Sequence, residues 1–150
     1  MSLLTNAIRE GWNMFPVESR DQHKEYGTYG AVQYDNKGRV IEGSCCVIGA
    51  IMVKDARNGQ IYPPPLESPM HDSLWADLED GVLAKIIPWI LDHPPEFFDT
   101  PEARNEKDFP HTLHKDWEDI TGVFELLARM NDYTTMMPDE IADKLDEWGI

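Results

Sequence analysis

Cys45 and Cys46 offer the most chemistry of any side chains in this sequence. A thiol attacks as its thiolate, and the positive end of a helix dipole favours that anion. The pair opens an apolar stretch that reads as a buried helix over residues 45–53, with Ser44 as its N-cap. A cysteine nucleophile also needs a base, and His23, His71, His93, His111 and His114 are available. No glutamine stands six residues before the pair to supply an oxyanion donor, and none of the histidines has a recognisable strand context. The expected role is therefore packing, since a free cysteine in an apolar helix behaves as a small hydrophobe. Adjacent cysteines have poor geometry for pairing with each other, so both are expected to be reduced and at least one buried.

His111 and His114 stand three apart, and on a helix they would share a face that could meet a metal. Zinc needs further ligands, which Asp116 or the cysteines could supply only through long-range folding, and the spacing matches no compact zinc signature. His114 or Asp116 capping a following helix is the simpler reading, and no metal is expected. The carboxylates come in three groups: Asp77, Glu79 and Asp80, then Asp116, Glu118 and Asp119, then Asp139, Glu140, Asp143, Asp146 and Glu147. Acid–base or magnesium chemistry requires carboxylates that converge in a cleft. These lie mostly opposite apolar stripes, as solvated helix faces do. Gly27, Gly30, Gly38 and Gly43 are dispersed and no Gly-Lys-Ser or Gly-Lys-Thr follows them, so no phosphate loop and no cofactor are expected.

The elements that must position these groups follow from periodicity. Leu3, Leu4, Ala7, Ile8 and Trp12 predict a short amphipathic helix ending near Gly11, closed by Phe15-Pro16. Residues 28–35 and 39–42 predict two strands turning at Asn36-Lys37-Gly38. Asn58-Gly59, Pro63-Pro64-Pro65 and Pro69 predict a surface loop. From Asp72 the reading is helical: Trp75, Leu78, Val82, Ile86, Trp89 and Ile90 approximate one stripe, with a break at Gly81 and a kink or restart at Pro88. Residues 93–110 read as a long loop carrying Phe97, Phe98 and Phe109. Trp117, Ile120, Val123, Phe124 and Leu127 predict a helix that Asn131-Asp132 stops. Pro138, Asp139 and Glu140 then open a last helix lined by Ile141, Leu145 and Trp148. The predicted class is mainly α (α+β), four to six helices with one β-hairpin.

The 150 residues, 41% hydrophobic with five each of Trp, Tyr and Phe, match one globular domain over residues 1–150. No apolar run approaches a membrane span, and the opening residues lack the pattern of a signal peptide, which together with two thiols points to the cytoplasm. The net charge of −15 is uneven. Residues 1–70 hold eight acidic and seven basic side chains, whereas residues 71–150 hold twenty and six. Such a surface repels nucleic acid and acidic membrane and attracts basic protein.

Three blocks together resemble a family of short, uncharacterised bacterial and phage-encoded proteins classed as a domain of unknown function. They are an early helix followed by a Gly-containing strand pair, the segment Cys46-Val47-Ile48-Gly49-Ala50, and Met130-Asn131-Asp132 followed by Glu140–Leu145. The family's usual Trp before Asn-Asp is Met130 in this chain, and residues 57–116 match none of its blocks. The resemblance implies a small helical domain often carried by phages or mobile elements and supplies no catalytic residues. The small residues Gly49-Ala50 are expected to let another helix approach closely.

The leading expectation is a non-enzymatic, acidic interaction module. It docks on a basic surface of a host or partner protein through Asp139, Glu140, Asp143 and Glu147, and a sharper version makes it a nucleic-acid mimic. It is not expected to bind nucleic acid or membrane directly. The alternatives are a small thiol-dependent hydrolase or transferase using Cys45 or Cys46, and a structural component of a virion.

Overall fold

A computed structural model of the chain describes residues 2–56, 58–92 (the backbone alone at 90–92) and 120–150. Helix α1 (Leu3–Trp12) opens on Ser2, whose hydroxyl accepts the Thr5 amide at 3.1 Å while Thr5 Oγ1 accepts the Ser2 amide at 2.9 Å. This reciprocal cap satisfies two N–H groups that the first turn leaves open. Leu4, Ile8 and Trp12 are buried, and the helix ends one residue past Gly11. A 3₁₀ helix over Val17–His23 follows, which no apolar period announced.

Strands β1 (Gly30–Tyr34) and β2 (Val40–Cys45) form the expected hairpin, antiparallel with Gly30 opposite Cys45 and Val32 opposite Gly43. Its turn is fixed by Gly38 at φ +77° and by Asp35, whose Oδ1 accepts the amides of Lys37 and Arg39, each at 2.9 Å. The Arg39 amide, then its guanidinium, hold the Asp35 carboxyl below its usual range. A short third strand, β3 (Gly59–Gln60), pairs with the other edge of β1 and gives the order β2-β1-β3.

The structure corrects the reading of residues 43–53. β2 runs on through Gly43 and Ser44 to Cys45, because these residues pair with β1. Helix α2 (Val47–Met52) starts later, and Cys46 caps it instead of Ser44, with Sγ accepting the Gly49 amide at 3.2 Å. Helices α1 and α2 then meet backbone to backbone. A Cβ on Gly11 would stand 1.7 Å from the Ala50 carbonyl oxygen, so the expected close approach is made at Ala50, with Gly11 as its counterpart. Gly49 presses instead on the Tyr29 carbonyl, 2.0 Å from where its Cβ would be.

The stripe expected from Asp72 is divided between α3 (Pro69–Leu74) and α4 (Asp80–Asp92). The interruption falls at residues 75–79 and not at Gly81, because the chain there leaves the helix to bridge Asp77 with Gly122. The Leu78 amide donates to Thr121 O at 2.8 Å and the Val123 amide to Ala76 O at 3.0 Å. Helix α4 passes through Pro88 without a restart. Helix α5 (Val123–Tyr133) begins after Ile120, on Gly122, and α6 (Pro138–Trp148) ends on Gly149 at φ +79°. Asn131-Asp132 does not stop α5, which continues to Tyr133; no non-glycine among the described residues has positive φ. Trp117, the loop over 93–110 and its Phe97, Phe98 and Phe109 lie outside the described residues.

The core joins Leu4, Ile8 and Trp12 to Val47, Ile48 and Ile51, to Leu126, Leu127 and Met130, and to Ile141, Leu145 and Trp148. Val32 and Val40 add the sheet's contribution. The class is α+β: six α-helices, one 3₁₀ helix and a three-stranded antiparallel sheet among the described residues. None of these helices is long and apolar enough to cross a membrane.

Candidate functional site

Asn131 joins two distant parts of the sequence. The residue is 1% exposed; its Oδ1 accepts the Val47 amide at 2.9 Å, and its Nδ2 donates to Glu25 O at 2.8 Å and to Asp132 Oδ1 at 2.9 Å. Asp132 Oδ1 also accepts the Gly27 amide at 2.9 Å. Two successive side chains of α5 thus fasten it to the first turn of α2 and to residues 25–27. A buried polar side chain persists when its partners are met, and these are. Beside the fastening lies a hollow of about 240 Å³, whose lining includes Tyr29, Cys46, Ile48, Phe124, Ala128 and Asp132. Phe124 stacks on Trp75 at 4.4 Å between ring centroids.

Lys24 lies under the same corner, 8% exposed. Its Nζ donates to Thr134 O at 2.8 Å and to Met136 O at 2.6 Å, and stands 4.5 Å from the centre of the Tyr26 ring. Burial lowers the ammonium to about 7, against the pull of the Asp132 and Glu140 charges. The two carbonyls and the ring face also favour the charged form. The sequence reading missed Lys24, since its burial depends on carbonyls more than a hundred residues away.

Both cysteines are buried free thiols, as expected. Burial pushes Cys46 up to about 11 despite its place as helix cap, and raises Cys45 well above the ordinary thiol range. Desolvation outweighs the amide that Cys46 accepts, so at neutral pH both are protonated and poor nucleophiles. His23 bonds to Ser19 Oγ at 3.0 Å and, through Nδ1, to Gly43 O at 2.6 Å, with its ring stacked on Phe15. His71 lies beside Asp72 and Trp75. Neither hydrogen-bonds to a cysteine sulfur. His93, His111, His114, Asp116, Glu118 and Asp119 lie outside the described residues. Among the described residues no three His, Cys, Asp or Glu side chains gather to hold a metal ion.

The four carboxylates expected to meet a partner sit along α6, whose opposite face buries Ile141, Ala142, Leu145 and Trp148. Each also has a local contact. Asp139 accepts the Glu140 amide at 3.0 Å, and Glu140 accepts the Met137 amide at 3.0 Å. Asp143, its side chain 74% exposed, pairs with Arg9 at 2.7 Å, and Glu147 pairs with Lys144 at 3.1 Å. Asp146 is of a different kind. Burial raises its carboxyl, but the Thr5 hydroxyl at 2.8 Å and Arg9 at 2.6 Å bring it below the usual value. No protein-family model matches the chain, and no curated protein or solved structure matches it.

Proposed function

We propose that this protein is an acidic, non-enzymatic interaction module of mainly helical build that works in the cytoplasm by docking on a basic surface of a partner protein. The observation that carries this reading is α6, one face of which is buried core while the other presents Asp139, Glu140, Asp143 and Glu147. Its cations leave a surplus: Lys144 is the only Lys or Arg within the helix, and Arg9 meets Asp143 from α1. The remaining charge steers a positive partner and disfavours nucleic acid. The buried, protonated thiols withdraw support from thiol catalysis.

Surface-capture measurements with a core histone as the basic probe test the reading. Association is expected to slow by about tenfold on replacing Asp139, Glu140, Asp143 and Glu147 with Lys, and to weaken with salt as charges beyond ~8 Å are screened. Circular dichroism of the same variant checks the fold, since Glu140 and Asp143 also hold local contacts. Salt-insensitive binding that survives the replacement overturns the proposal, as does retardation of duplex DNA by the chain alone.

A further inference from the structure

Tyr62-Pro63-Pro64-Pro65-Leu66 links β3 to α3 and takes no part in the corner around Asn131. Proline fixes its own φ and drives the residue before it towards extended or polyproline II geometry. Tyr62, Pro63 and Pro64 each precede a proline, so the segment is preset as a left-handed helix of three residues per turn. Burial repeats at that period: Ile61 and Pro64 are buried, whereas Tyr62 and Pro65 are exposed. One edge is fastened to the core and another, Tyr62 and Pro65, is presented, with Tyr62 67% exposed; Leu66, 78% exposed, follows in the turn after it. The ends are tied by the Ile61 amide to Gly30 O at 2.8 Å and the Ser68 amide to Pro65 O at 3.0 Å. Between them the carbonyls of Tyr62, Pro63 and Pro64 accept no hydrogen bond among the described residues. Along the sequence the flanks carry one sign of charge: residues 58–84 include Glu67, Asp72, Asp77, Glu79 and Asp80, and no Lys or Arg.

We propose that residues 62–65 are a presented polyproline ligand whose partner is a protein domain with an aromatic-walled groove and a basic rim. Tyr62 and Pro65, one polyproline turn apart, fill neighbouring slots between the partner's rings, and donors on those rings reach the open carbonyls. A Lys or Arg on the rim meets Glu67. Because the prolines are already ordered, docking costs little conformational entropy. The proposal is independent of the acidic face of α6.

Calorimetric titration of the full chain into a WW domain, a profilin and an EVH1 domain tests it, these being three unrelated aromatic-walled grooves that take polyproline segments. At least one is expected to bind, with a loss of about tenfold or more in each of Tyr62→Ala and Pro65→Ala, the thermal midpoint being unchanged in the first and slightly lowered in the second by the freer unfolded chain. Leu66→Ser, exposed but outside the two slots, is expected to leave binding unchanged, and Glu67→Lys is expected to weaken binding to a basic-rimmed groove. Failure of all three domains to bind below about 1 mM overturns the proposal. So does binding that the Tyr62→Ala, Pro65→Ala double variant leaves intact.

Discussion

The crossing of α1 with α2 and the link from β3 to α3 are both built on residues with unusual backbones, and they use them in opposite ways. At the crossing, glycine removes a side chain so that two backbones touch. In the link, proline stiffens a backbone that buries Ile61 and Pro64 and turns Tyr62 and Leu66 outward. The first region specifies the fold and tolerates no added atom. The second takes its shape from its prolines, and the side chains of Tyr62 and Leu66 have no part in setting it.

Gly11→Ala is the severest way to break that comparison. Its new methyl would overlap the Ala50 carbonyl at 1.7 Å, and urea denaturation is expected to show a loss of about 3 kcal/mol or more, or no folded protein. A change within about 0.5 kcal/mol would mean that the two helices separate freely. Asn131→Leu comes next. It strands the Val47 amide and the Glu25 carbonyl, and the expected cost is about 2–3 kcal/mol by the same measurement.

The pH dependence of stability sharpens the contrast from the packed side. Burial holds the Lys24 ammonium at about 7, against 10.5 for the free group, so between those values the unfolded chain binds a proton that the folded chain lacks. Stability therefore rises with pH from about 7, by at most ~1.4 kcal/mol per pH unit from this group. Cys45 and Cys46 act with the opposite sign. Their buried thiols stay protonated above 9.0 while unfolded thiols ionise, so stability falls there. Urea midpoints are expected to peak between about pH 8 and 9, and Lys24→Met is expected to remove the rising limb. The smallest effect belongs to the proline link: Tyr62→Ala and Leu66→Ser are each expected to change stability by less than about 0.5 kcal/mol.

Local chemistry made some elements legible in the sequence. Apolar spacing located α1, Asn36-Lys37-Gly38 located the hairpin turn, and Pro138 with the Ile141, Leu145 and Trp148 spacing located α6. Elsewhere a distant partner decides. Residues 45–53 are apolar throughout, and periodicity alone does not divide such a run into strand and helix; the pairing of Cys45 with Gly30 does. The gap at residues 75–79 depends on Gly122, and β3 has only two residues. Asn131 looked like a helix stop because its side chain competes well for backbone groups. It does compete, for the backbone of Glu25 and Val47 instead of its own.

The contact between α1 and α6 sets an order of events in time. Thr5 and Asp146 are 141 residues apart in sequence, and Arg9 reaches Asp143 and Asp146 across a similar span. During synthesis α1 emerges before α6, and its hydroxyl and guanidinium meet these partners only after α6 has followed. Closing so long a loop is entropically costly before any contact rewards it, which slows folding. A nascent chain that has not reached residue 138 thus holds α1 without the carboxylates that fix it.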